Sequence, residues 1–212
     1  MTVRPATVEP RSSPAAGAVV LWCVLAGAVV SATLLIEPAE TRGVEFLSPQ
    51  GALRLLADLV VLYVLFIVPL FAWGKEKPLR ASLEAAGIVC FTAAVGLVMI
   101  DKLVGYGAAR MATLIGFVAL SAAGAVVWAE ACREKPAVYY GVAAIAGFGA
   151  PLMQFLAAEV LRIDASWLEW FSPFTGWRAI VDAGSWAPWA VFAAILLVGA
   201  AGLAFKFRRA GA

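Results

Sequence analysis

Trp186–Arg209 reads WAPWAVFAAILLVGAAGLAFKFRR. From Pro188 to Phe205 it carries no charge; then Lys206, Arg208 and Arg209 arrive together. About 20 apolar residues in a helix cross the ~30 Å hydrocarbon core of a bilayer. A cluster of cations directly behind such a run is what holds a span's end at the cytoplasmic headgroups. This stretch reads as the last span of a membrane protein, followed by a basic tail over residues 207–212.

The rest of the chain repeats that pattern. Of its 212 residues, 63% are hydrophobic and 14% are charged, where a soluble domain carries roughly 25% charge. Five more apolar runs precede the last one: Ala15–Ile36, Leu55–Trp73, Ala81–Ile100, Ala112–Ala131 and Val138–Glu159. The expectation is an all-α, polytopic fold with six transmembrane helices over residues 15–206, behind a polar, Pro-rich, disordered tail over residues 1–14. The first run is longer than a signal peptide's ~7–15-residue apolar core, so it is read as a retained span.

Alternating the connections between two sides puts Lys75, Lys77, Arg80, Arg133, Lys135 and the basic tail on one side. Glu37, Glu40, Glu45, Asp101, Asp164, Glu169 and Asp182 fall on the other. The positive-inside rule then makes both termini cytoplasmic. The membrane itself is the first expected partner. A net charge of +2 is too small to suggest nucleic acid.

Several chemistries lack their residues. The chain has no histidine, which excludes His-ligated haem, His-based zinc and Ser–His or Cys–His nucleophile pairs. Cys23, Cys90 and Cys132 are far apart and read as small apolar residues. No GxxxxGK[ST], HExxH or GxSxG stands in the sequence. No catalytic, cofactor or metal site is expected.

The connection before the last span is unusual. Ser166–Trp186 reads SWLEWFSPFTGWRAIVDAGSW, too polar to cross a membrane and too aromatic for an ordinary loop. Trp167, Trp170, Phe171, Phe174 and Trp177 recur at helical spacing, which predicts one aromatic face. Ser172 is a good N-cap, Pro173 fits a first helical turn, and the residue before a proline resists helix. Gly184 suits a helix end. Two short helices broken at Ser172 are expected over about 165–184. They read either as a re-entrant hairpin on the outer side or as an interfacial loop anchored by tryptophans.

Other polar groups have simpler readings. Pro151 should kink the fifth span and free a carbonyl, and Gln154 then serves as packing glue or lines a pathway. Arg54 with Asp58, and Arg80 with Glu84, stand at i and i+4 and read as intrahelical ion pairs. Ala143 and Gly147 suit close helix packing.

The order SPFTGWRAI, then a short spacer, then the last span and FKFRR resembles the C-terminal end of the type-2 permeases of ATP-binding-cassette (ABC) exporters. Ser172, Pro173 and Phe174 match that family's outer-side re-entrant segment, and Lys206, Arg208 and Arg209 match its basic tail. IVPLFAWGKEKPLRASLEAAG (67–87) loosely resembles the family's cytoplasmic coupling helix through Pro69, Gly74, Glu76 and Glu84, without the expected Gly-Thr-x-Glu. The resemblance implies a permease subunit paired with a like or related second permease; the high alanine and glycine content and the short basic tail suggest a bacterial inner membrane. A separate ATPase would engage Gly74, Lys75, Glu76, Lys77, Arg80 and Glu84. The hairpin residues Trp167, Trp170, Phe171, Ser172, Pro173, Phe174 and Trp177 would form an outer gate. Pro151 and Gln154 would lie on the path. A structural or assembly subunit and an ion-coupled carrier are the alternatives.

Overall fold

The computed structural model describes residues 14–35, 48–73, 78–182 and 184–210. Residues 1–13 of the expected tail and the coupling residues Gly74, Lys75, Glu76 and Lys77 lie outside them, and Pro14, expected in the tail, already belongs to the first helix. Six helices are long and apolar enough to span a membrane. They are α1 (Pro14–Leu35), α2 (Pro49–Ala72), α3 (Pro78–Val104), α4 (Ala108–Ala131), α5 (Pro136–Leu161) and α7 (Ala187–Ala210). Between α5 and α7 lie a 3-10 segment, Ser166–Phe171, and the short helix α6, Pro173–Val181. Among the described residues every regular element is helical.

Proline sets most of the starts. Pro14, Pro49, Pro78, Pro136 and Pro173 each open a helix, where the missing N–H costs nothing and the fixed φ is already helical. Ser48 adds a side-chain cap, accepting from Gly51 N at 3.0 Å. Glycine sets the tight reversal between α3 and α4. Gly105 and Gly107 take φ of +77° and +87°, and Asp101 Oδ1 accepts the Tyr106 N–H at 2.9 Å. The last helix runs to Ala210, so the basic residues after Phe205 extend it rather than leave it.

The core lies among α2, α3 and α4. Leu53, Leu56, Val60 and Val64 of α2 meet Val89, Ala93 and Leu97 of α3 and Leu114, Phe117 and Val118 of α4, all buried. The flanking helices are far less covered: the spanning windows of α1, α5 and α7 are only 22%, 11% and 17% buried. In a bilayer such apolar faces meet lipid or another helix at no hydrophobic cost.

Side-chain donors tie the outer helices on, through backbone carbonyls and one threonine hydroxyl. Tyr63 of α2 donates to Ala18 O of α1. Trp22 Nε1 donates to Thr92 Oγ1 at 2.7 Å, and Trp128 Nε1 to Ile195 O at 2.9 Å. Without water, each such group must find a partner inside the protein.

Two spans are broken by proline. In α2 a π-helical turn, Tyr63–Ile67, precedes Pro69; in α5 similar wide turns, Ile145–Gly149 and Leu156–Leu161, flank Pro151. A proline inside a helix leaves the carbonyl four residues earlier without its donor. For Pro69 that carbonyl is Leu65 O, and Tyr139 of α5 donates to it at 2.8 Å. Its neighbour Phe66 O accepts from Tyr140 at 3.3 Å.

Candidate functional site

The 166–181 element docks on both broken spans. The carbonyl that Pro151 frees is Gly147 O, and Ser172 Oγ donates to it at 2.9 Å. The same hydroxyl accepts the Phe174 N–H at 3.2 Å as the N-cap of α6, with Ser172 at φ −99°, ψ 129°. One hydroxyl, donor and acceptor together, stitches the 166–181 element to α5. Gly147 lies about 21 Å from the Leu161 end of α5 at 1.5 Å per residue. The break at Ser172 therefore sits against the middle of that span.

Gly147 is glycine for a packing reason. A Cβ there would stand 2.9 Å from the Phe174 ring. The Phe174 ring in turn stacks on Phe148 at 5.3 Å. Stacked and edge-on pairs continue through Phe66 and Tyr140 to Trp73. One aromatic ladder runs from Phe174 of α6 to Trp73 at the far end of α2.

The other attachment is ionic. Asp58 Oδ1 accepts from Trp177 Nε1 at 2.8 Å, and Oδ2 accepts from Arg178 at 2.8 Å. Arg54 stands 3.8 Å from Asp182. The expected i, i+4 pair of Arg54 with Asp58 gives way to two pairs between α2 and α6. The reason is reach: α6 lies along the face of α2 that carries both residues, and its own opposite charges leave each carboxylate and guanidinium a partner closer than the intrahelical one. Arg178 also lies 5.3 Å from the Trp177 ring, and its Nε is buried without a partner. Gln154 donates to Glu169 across the turn that joins α5 to the 3-10 segment.

The aromatic residues do not form the single face their spacing suggests. Trp177 is fully buried, while Trp167 and Phe171 are exposed and meet edge to face at 5.9 Å. A 3-10 segment has three residues per turn, not 3.6, and the break at Ser172 redirects the chain. Both shifts carry the later aromatics away from the earlier ones. The helix end at Gly184 follows the sequence: it takes φ +65°, and Gly184 N and Ser185 N donate back to Ile180 O and Ala179 O.

Three spaces surround the element. On the side of α4, a cavity of about 390 Å³ is lined by Arg110, Thr113, Asp182, Ser185 and Trp189. On the side of α2 and α5, a cleft of about 420 Å³ exposes Asp58, Pro151, Phe174 and Arg178. Beneath Phe171 and Pro173 lies an almost wholly apolar chamber of about 190 Å³. Ser121, in its wall, has a buried hydroxyl without a partner.

At the opposite, basic end, Arg80 and Glu84 form the expected pair at 2.7 Å on an exposed face of α3. Lys206 meets Glu134 at 2.9 Å, and that contact holds the Glu134 carboxyl below its ordinary range. Among the described residues no three or more Cys, Asp or Glu side chains gather as a metal site.

Sequence reasoning assigned Ser172 and Pro173 to the element before the last span and Pro151 and Gln154 to the fifth span; the structure brings the two groups together, through Ser172 on Gly147 O and Gln154 on Glu169. It missed Asp58, Tyr139 and Tyr140, whose partners are remote in sequence; the prolines they answer were the available signal. No known protein family, curated protein or solved structure matches the chain.

Proposed function

We propose that this chain is the membrane-embedded permease subunit of an ATP-driven exporter, with 166–181 as its re-entrant outer gate. The observation that carries the reading is the clasp at Ser172. A Pro-broken element lies against the middle of α5 and along α2, two helices that are themselves broken; Ser172 and Arg178 tie it to them by polar contacts, while Trp177, Ile180 and Val181 seat its other face in the apolar core. Irregular backbone at membrane depth occurs where protein covers it or a polar path runs beside it. The cleft beside it is walled mainly by Leu55, Leu59, Leu62, Phe148 and Phe174, and Asp58 and Arg178 are its charged groups.

The six spans and the Ser172–Phe174 match support the resemblance to type-2 ABC permeases. In this reading the basic end is cytoplasmic. A partner ATPase engages the 74–77 connection with Arg80 and Glu84, a second permease pairs with the exposed helices, and the bilayer is the inner membrane of a bacterium. Movement at the ATPase reaches the hairpin through the aromatic ladder from Trp73 to Phe174. The gate opens when Ser172 and Arg178 leave Gly147 and Asp58.

A mild-detergent pull-down from the native membrane, with co-purifying chains identified by mass spectrometry, tests it. A stoichiometric partner containing GxxxxGK[ST] is expected. The sparse burial of α1, α5 and α7 favours a second reading, an assembly subunit of a larger membrane complex. Recovery of several membrane chains without such an ATPase would select that reading. A chain that purifies alone would instead favour an ion-coupled carrier.

A further inference from the structure

The apolar chamber beneath the hairpin has an outlet that the gate does not use. Gly124 and Ala125 of α4 form its back, Val142 and Ala146 of α5 and Ile195 of α7 its sides, and Phe171 its roof. Val142 and Phe171 are also exposed on the outer surface, so the chamber opens sideways between α5 and α7. Downwards it reaches Cys132. The same residue walls a second cleft of about 400 Å³ at the basic end, with Glu134, Lys135, Phe205 and Lys206. From Ser121 to Cys132 is about 16 Å at 1.5 Å per residue. That is half of a ~30 Å hydrocarbon core, the depth of one leaflet.

Charge distinguishes the lower cleft. Among the described residues Lys135 and Lys206 line it with Glu134 as their counter-charge, the Arg133–Glu130 pair stands on the adjoining turn, and Arg208 is exposed two residues beyond Lys206. The mouth is net positive at the level of the headgroups, and the space behind it is apolar. Burial also pushes the Cys132 thiol at the junction up from its ordinary value.

We infer that this chamber and cleft together hold one anionic phospholipid from the leaflet at the basic end. Its phosphate lies among Lys135, Lys206 and Arg133. One acyl chain threads past Cys132 between α5 and α7 and ends beneath Phe171. An acyl chain replaces contacts that a void would forfeit, and the phosphate offsets the surplus of cations. The site stands on the membrane reading alone and would remain if the chain were an assembly subunit.

The test uses the full chain in nanodiscs of phosphatidylcholine with a trace of phosphatidylglycerol carrying a diazirine near the end of one acyl chain. After photolysis, labelled peptides are mapped by mass spectrometry. Label is expected on the Gly124–Trp128 and Phe171 regions above the level on the lipid-facing Ile145 and Phe155. The same diazirine on phosphatidylcholine should label them less.

Gly124→Leu is the filling variant. A Cβ at Gly124 meets nothing within 4 Å, and leucine favours helix over glycine by roughly 1 kcal/mol, so the variant is expected to fold. It should lower chamber labelling about tenfold, the change that 1.4 kcal/mol of affinity produces. Ala146→Leu fills the opposite wall should the first variant fail to fold. Lys135→Ala with Lys206→Ala should equalise the two probes while leaving chamber depth unchanged. Chamber labelling that matches the lipid-facing background, or that survives both filling variants, overturns the site. Equal labelling of the unmodified chain by both probes overturns its anionic character.

Discussion

Ser172 shows how much a single hydroxyl can settle. It is fully buried, caps α6 and supplies the donor that Pro151 removes from Gly147 O. Ser172→Ala deletes the cap and leaves a buried carbonyl unpaired, so it should destabilise by about 2–3 kcal/mol. Thermal unfolding in detergent measures this, and Ser172→Thr, which keeps the hydroxyl, should recover most of the loss. If Ala matched the unmodified chain, the clasp would carry no energy and the gate reading would lose its hinge. Ser121 predicts the reverse sign. Its buried hydroxyl has no partner, so Ser121→Ala should be neutral or slightly stabilising. The cap at Ser172 and the stop at Gly184 were legible because caps and left-handed turns are local chemistry. The partner of Asp58 was not. Its nearest cation in sequence is Arg54, one turn away, but the ion pair is made with Arg178 from another element. Sequence spacing gives the pairs a helix permits; only the packing of a second helix decides which are made.

At the scale of elements, α2 and α5 are matched in construction. Each is broken by a proline, and each freed carbonyl is satisfied by a hydroxyl from a neighbour. Tyr139 serves Leu65 O at 2.8 Å, and Tyr140 serves Phe66 O at 3.3 Å. Tyr139→Phe should cost about 1 kcal/mol and Tyr140→Phe distinctly less, since the longer contact is the weaker bond; parallel melts of the two variants would show it. Equal losses would mean that ring packing, not the hydroxyl, holds the pair. The kink at Pro151 was readable from sequence, and so was a helix–break–helix before the last span. The aromatic stripe was misread because 3.6-residue periodicity does not continue through a 3-10 segment and a proline break. A pH effect belongs at this scale too. Lys206 holds the Glu134 carboxyl below its ordinary value of 4.5, so the contact between α7 and the 132–135 turn stabilises above that pH and is lost as the carboxylate is protonated below it. A spin label at Phe207→Cys, with the three native cysteines replaced by serine, should gain mobility only in that acid range. Constant mobility from neutral pH down to well below 4.5 would show that the pair does not hold the helix end.

For the whole molecule, hydropathy made the six spans legible because a bilayer imposes a length and a polarity on every crossing. All six lie where the apolar runs put them; the second begins earlier, at Pro49, since the cap at Ser48 and not hydrophobicity starts that helix. The cavities were not legible, because a void is a property of how helices meet and no single segment encodes it. Orientation is the remaining property of the whole, and it governs what the hairpin can do. Arg133, Lys135, Lys206 and Arg208 gather at one end of the bundle, whereas Asp182 and Trp186 line the cavity at the other end. Cations within a short loop or tail resist translocation, so the basic end should stay cytoplasmic. Replace the native cysteines with serine and introduce one at Trp186, which is 75% exposed, or at Lys135. A membrane-impermeant maleimide should label the first in intact cells and the second only after permeabilisation. The opposite pattern would put the Ser172 clasp on the cytoplasmic side. The hairpin would then lie on the same side as any ATPase, and it could not close an outward path.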